Sequence, residues 1–220
     1  MQREEIIARY RHLREITNRH LGVAVDFVAA SAMAERVKHL GIVQHKPSIG
    51  SEEAMSLVFD LAVHTAKPGR SLAIDRYARS VAALAGSDED RALQALRDAR
   101  FSIWRIDRLH DVAGLVATDV LRGGAIWLLD EGLESSVRPD FTFASRLSIP
   151  AEFAITCGVV VPIDGLLLDQ VLHAGMAWMR NADPASLADD PRFAASVYRA
   201  AIAGHVMERV QYRSRVAATA

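Results

Sequence analysis

Cysteine is nearly missing from this sequence. Cys157 is the single one in 220 residues, which excludes an internal disulfide framework and any cysteine-rich zinc site. It also favours a reducing compartment. An excess of charge of one sign is missing too: 26 Lys and Arg against 27 Asp and Glu leave a formal net charge of -1. A chain so balanced has no global attraction for nucleic acid or anionic membrane. Long apolar runs are absent as well. The longest covers residues 21–34, about fourteen residues with Asp26 among them, too short and too polar to span a bilayer. The opening MQREEIIARYRH alternates both signs of charge and holds no apolar core, so no secretory signal is expected there. A cytoplasmic location follows as the expectation. No internal repeat and no low-complexity linker interrupts the chain.

What is present is ordinary globular material, 50% hydrophobic and 24% charged, with length for one large domain or two small ones. Residues 2–20 put Ile6, Tyr10, Leu13 and Ile16 on one helix face, with Arg3, Arg9, Arg11, Arg14 and Arg19 outside it. Either Gly22 ends this helix or the helix continues through it. Residues 23–40 read as a second helix, alanine-rich and suited to close approach, with Gly41 as its left-handed cap. A connector at 44–50 contains Pro47. Ser51 caps a helix over 52–66 whose first turn carries Glu52 and Glu53. Helices at 71–84 and 88–99 follow, the latter capped by Ser87.

At Phe101 the hydrophobic period changes from three-to-four to two. Strands are expected near 101–108, 115–121, 125–131, 141–149 and 153–161. Turns at Asp111–Gly114, Arg122-Gly123-Gly124 and Arg138-Pro139-Asp140 join them. Phe141, Phe143, Ser145, Leu147 and Ile149 face one way; Phe153, Ile155, Cys157, Val159 and Val161 form a second in-phase set. Helix returns at 163–180, a polar loop fills 181–190, and a last helix, with Pro191 near its first position, runs to about 215. The expected fold is α+β: a helical region over 1–100, a five-stranded antiparallel sheet, curled or closed into a small barrel, over 101–162, and C-terminal helices over 163–220. All three pack as one unit.

Each motif that could carry chemistry also has a simpler role. His110-Asp111 looks like half of a metal-dependent phosphohydrolase site, but it lies at a strand end, where Asp111 serves a turn. His205 with Glu208, and Glu35 with His39, are single pairs where a metal needs three or four ligands. Cys157 alternates in phase with buried positions, which makes it a structural thiol. Asp119, Asp130 and Glu131 offer carboxylates without an assignable face, and Gly123-Gly124 lacks phosphate-loop spacing. Trp104 and Trp127 are large aromatics in a small sheet, suited to a core before a stacking platform. Arg192, Arg199, Arg209, Arg213 and Arg215 on the last helix could join the arginines of the first in a patch for phosphate backbones.

A set of residues running through Leu40-Gly41, Ser51-Glu52-Glu53, Asp60, ARFSIWRID, TDVLRGGAIWLLDEGLESSVRPDFTFASRL and ITCGVVVPI resembles uncharacterised bacterial proteins that often carry a SEC-C zinc motif. With one cysteine this chain has no such motif. The resemblance implies neither an activity nor catalytic residues.

The sequence therefore points to a non-enzymatic binding or protein-interaction protein. It is expected to self-associate through an alanine-rich or apolar helix face, without metal or cofactor. Two alternatives stand beside it: nucleic-acid binding through Arg209 and Arg213, and an enzyme using Asp119 or Asp130. The outward set around Trp104, Trp127, Asp130 and Arg146 is the place to look for a binding surface.

Overall fold

The computed structural model describes residues 2–42, 51–179 and 183–206. Helices α1 (Arg3–Val25), α2 (Ala30–His39), α3 (Ser51–His64), α4 (Ala73–Ser80) and α5 (Asp88–Arg97) precede the strands β1 (Arg100–Leu109), β2 (Leu115–Asp119) and β3 (Ala125–Leu129). Helix α6 (Glu131–Ser136) separates these from β4 (Thr142–Ser148) and β5 (Ala154–Pro162), and α7 (Gly165–Met179), α8 (Pro184–Asp189) and α9 (Pro191–Ala203) follow.

Several elements differ from the sequence expectation for local reasons. Helix α1 continues through Gly22 and ends three residues later; a turn over 26–28 then delays α2 to Ala30. The third strand was expected to reach Glu131 but stops at Leu129. There the Asp130 carboxylate accepts the Leu133 N–H at 3.0 Å and caps α6, the local bond that aspartate offers a helix start. In the expected loop at 181–190, Asp183 caps α8 in the same way. Ser87 and Asp190 cap α5 and α9, and Gly41 follows α2 at φ +72°. The last helix, expected to run to about 215, ends at Ala203 with Gly204 as its C-cap; the connector at 44–50 and the residues beyond 206 lie outside the described residues.

The five strands form one sheet in the order β1-β2-β3-β5-β4, and β4 pairs back onto β1, so the sheet closes on itself. The expected antiparallel meander is corrected on two points. β4 sits between β5 and β1, and the β3–β5 pairing, Leu128 opposite Ala154, is parallel. Topology forces a parallel pair: each antiparallel contact reverses direction, and five reversals cannot bring a ring back to its starting sense.

Alternation sorts the side chains between the two faces. Trp104, Ile106, Leu115, Ala117, Leu128, Phe143 and Leu147 fill the inside, and Leu133 of α6 joins them. Outward residues do not meet water, because helices cover them. Ile6, Tyr10 and Leu13 of α1 pack on Leu129, Phe153 and Ile155. Leu57 and Leu61 of α3, with Phe193, Val197 and Tyr198 of α9, pack on Phe101, Ile103 and Val161. Cys157 meets Ala24, Val63 and Leu96. Both faces of β4 are thus buried along most of its length, which explains a strand as apolar as FASRL that still holds an arginine.

Candidate functional site: a cleft at the mouth of the sheet

The sheet's inner core reaches the surface where β1 begins, where the β2–β3 turn folds over, and where β4 ends. Helix α5 stands across from this opening and leaves a cleft of about 910 Å³. Its apolar lining comes from Trp104, Ile126, Leu147 and Ile149. Ile149 is 57% exposed, a large apolar side chain turned to water with the inner core behind it.

The polar rim divides into groups already engaged and groups left open. Asp119 is buried and accepts from Ser102 Oγ at 2.6 Å and from the backbone N–H groups of Leu121 and Arg122. It is the anchor of the β2–β3 turn. Arg122 binds Asp119, donates to the Phe101 carbonyl, and reaches Asp189 of α8 at 2.5 Å. Arg91 pairs with Asp88 and donates to the Gly86 carbonyl. Arg100 at the start of β1 and Asp98 just before it are both exposed, and neither side chain has a partner among the described residues. An apolar bed beside an uncommitted cation and an uncommitted carboxylate suits a ligand with an apolar body and a polar end, an anionic group engaging Arg100 on the side away from Asp98, and the volume is that of ordinary small-molecule sites.

Behind the sheet lies a second concentration of polar groups, deep in the core. Arg146 Nε donates to Asp60 Oδ1 at 3.0 Å, its Nη2 donates to Oδ2 at 3.3 Å, and the Tyr198 hydroxyl donates to Oδ2 at 2.9 Å. The Arg146 and Asp60 side chains are 8% and 2% exposed. Arg146 also lies over the Phe101 ring, 5.8 Å from its centroid. Burial alone would raise the Asp60 carboxyl, but the Arg146 guanidinium outweighs it and holds the group below its ordinary value. Burial raises the Tyr198 phenol, and the Asp60 carboxylate raises it further. Burial, with the Arg146 charge beside it, pushes His64 down to about 3. Burial pushes the Cys157 thiol up to about 12, which keeps it protonated and a poor nucleophile. Arg146, Asp60 and Tyr198 satisfy one another and tie α3, β4 and α9 together, while the buried Nε2 of His64 has no hydrogen-bond partner among the described residues.

The four residues singled out for an outward surface are not brought together. Trp104 points inward, is 7% exposed, and donates from Nε1 to the Ser145 carbonyl at 3.0 Å; it borders the cleft only as part of the core. Arg146 is buried on Asp60. Asp130 caps α6 and accepts from Thr156 Oγ1 at 2.8 Å. Trp127 lies under α1, stacks on His110 at 4.1 Å between centroids, and donates to the Ala113 carbonyl. His110 accepts the Val112 N–H inside the turn, and Asp111 pairs with Arg108. Glu131 pairs with Arg11, and Glu35 pairs with Lys67 instead of His39. Of the α1 arginines, Arg3, Arg9, Arg11 and Arg19 are each bound to a carboxylate, which removes most of that helix's basic face. Arg209, Arg213 and Arg215 lie outside the described residues, as does Glu208. Among the described residues no group of three or more His, Cys, Asp and Glu side chains could hold a metal ion, and no helix is long and apolar enough to cross a membrane.

The cleft escaped sequence reading because its walls come from residues 90–104, 119–126 and 147–150, joined only by strand closure. One signal was present: Ile149 completes an alternating strand yet precedes Pro150, where the strand must end. Asp60 and Arg146, both part of the family resemblance, are bonded partners 86 residues apart.

Compared with known proteins, residues 4–196 match a family of unknown function, DUF7986, and the chain belongs to that family. No curated protein and no solved structure matches it. The match extends to no SEC-C motif.

Proposed function

We propose that this member of a family without an assigned activity is a binding protein. In this reading its ligand occupies the cleft between α5 and the mouth of the closed sheet. The observation that carries the reading is the coincidence, in one cleft of about 910 Å³, of the exposed Ile149, the inner core behind it, and the uncommitted Arg100. A non-enzymatic role is supported by what the strongly shifted groups do. His64, Cys157 and Tyr198 serve the core, away from this cleft.

The test uses 1-anilinonaphthalene-8-sulfonate, an apolar ring system with one anionic group, titrated into the folded protein. Saturable fluorescence with one site per chain is expected. Arg100→Ala should weaken it about tenfold, the cost of one charge-assisted hydrogen bond, and Ile149→Asp should abolish it. Unsaturable fluorescence, or binding indifferent to both substitutions, would withdraw the proposal.

A second reading, single-stranded nucleic acid in the same cleft, is favoured by the strand order. A closed five-strand ring in the order 1-2-3-5-4 with a helix between the third and fourth strands is the arrangement of OB-folds, in which the loops β1–β2 and β4–β5 border the ligand. Here Ile149 and Pro150 of the β4–β5 loop line the cleft. The β1–β2 loop is instead covered by α1, whose Arg3 donates to the Val112 carbonyl. Binding of an oligonucleotide that falls steeply with salt and is lost in Arg100→Ala and Arg122→Ala would establish it. Self-association through an apolar helix face remains part of the binding proposal. A monomeric sedimentation profile at every concentration would remove it.

A further inference from the structure

A separate cavity of about 180 Å³ lies where the end of α3, the start of β1 and the junction of α8 with α9 meet. Its border is polar for the most part, with His64, Arg100, Arg122, Arg146, Asp189 and Asp190 around it. His64 belongs to the core by burial, yet the core leaves it unanswered. It is 8% exposed, and neither ring nitrogen makes a hydrogen bond among the described residues. Nε2 is shut off from solvent, whereas Nδ1 is not, so Nδ1 is the nitrogen left to meet the pocket that the residue lines. Buried polar groups normally have a partner, and a ligand in this space would supply one. Burial and the Arg146 charge keep the ring neutral. It can then hold its one proton on Nδ1 and donate it.

The charges around the space decide what would fit. Arg146 is answered by Asp60 through two hydrogen bonds. Arg122 is answered by Asp119 and Asp189. Asp190 caps α9 and pairs with Arg192. Of the charged groups on this border, only Arg100 has no partner among the described residues. Its exposed neighbour Asp98 lines the cleft and not this pocket. One open cation beside one neutral donor matches a single negative charge. A dianion would bring a second charge toward Asp189 and Asp190 with no further cation to answer it. The volume is below that of drug-sized sites, which limits the ligand to a few carbons.

We infer that this pocket binds the carboxylate of a small organic acid. The carboxylate accepts from the Arg100 guanidinium, a charge-assisted bond of the stronger kind, and from His64 Nδ1. Arg100 and Arg122 line both this pocket and the cleft at the sheet mouth, whereas His64 lines the pocket and not the cleft. The inference therefore does not depend on the cleft having a ligand.

The test is calorimetric titration of the folded protein at low salt and pH 7 with sodium lactate, a compact monoanion, and separately with inorganic phosphate. Saturable binding of lactate is expected, and it should be tighter than that of phosphate. Arg100→Gln changes an exposed side chain without a partner, so the fold should persist while lactate binding weakens about tenfold. His64→Leu removes the orphaned nitrogen. It should weaken lactate several-fold and leave the binding of 1-anilinonaphthalene-8-sulfonate in the cleft unchanged. Ile149→Asp should do the reverse, abolishing dye binding and sparing lactate, so the two sites can fail separately. No saturable lactate binding, tighter binding of phosphate, or lactate binding unchanged in either Arg100→Gln or His64→Leu overturns the inference.

Discussion

Replacing Asp60 with asparagine should unfold this protein more readily than any surface change, and the size of the effect follows from the geometry. Asparagine keeps the shape but removes the charge that answers Arg146, whose side chain is 8% exposed. Breaking a buried pair by neutralising one partner typically costs about 3–5 kcal/mol, because the other charge stays buried without compensation. For a chain of this length that corresponds to a melting temperature lower by roughly 6–20 °C. Urea denaturation at pH 7, followed by far-ultraviolet circular dichroism, measures it. The decisive control removes the whole constellation. Asp60→Leu with Arg146→Met and Tyr198→Phe leaves no buried charge and no orphaned hydroxyl, and should recover most of the lost stability. The pH dependence has a definite sign. Asp60 is held below its ordinary value in the folded state, so its contribution is complete above the unfolded carboxylate value and is lost as pH falls through the folded one. The gap between the native protein and Asp60→Asn should therefore close below about pH 4. A loss under about 1 kcal/mol for Asp60→Asn, or a triple variant no better than the single one, would refute the reasoning.

Two further outcomes are expected. His64 is neutral in the fold and titrates at about 3 against an ordinary 6.5, so the unfolded chain takes up a proton that the native one refuses. Stability is complete above 6.5 and declines below it by up to ~1.4 kcal/mol per pH unit; His64→Gln should flatten that slope between urea midpoints measured at pH 7 and pH 5, and equal slopes would count against it. Gly114 has φ +77°, and a Cβ there would strike the Leu128 carbonyl oxygen and Leu129 Cδ2. Gly114→Ala should cost about 2 kcal/mol or more, from backbone strain plus collision. Gly123→Ala, also at positive φ but with open space around it, should cost distinctly less. Equal losses at the two positions would show that φ alone matters.

The sequence by itself determined the elements that depend on neighbours along the chain. The change of period at Phe101, the cap at Ser87, the stop at Gly41 and the one-facing set Phe143, Ser145 and Leu147 all rest on contacts within a few residues. Cys157 was legible as buried for the same reason, since a strand alternates whatever lies above it. Where local signals compete, the reading failed. Asp130 reads as a strand residue until its carboxylate finds the Leu133 N–H, and Trp104, although suited to a core, is also placed in an outward set until the sheet closes around it.

Only the tertiary structure decided which distant groups meet. The parallel pairing of β3 with β5 follows from ring closure, which no single strand encodes. Arg146 looks like a surface arginine until α3 brings Asp60 and α9 brings Tyr198 against it. The cleft is a space between elements, lined by residues from segments far apart in the chain. Periodicity reports which face of an element is apolar; it carries no information about which other face will cover it, or where covering stops and leaves Ile149 and Arg100 open to a ligand.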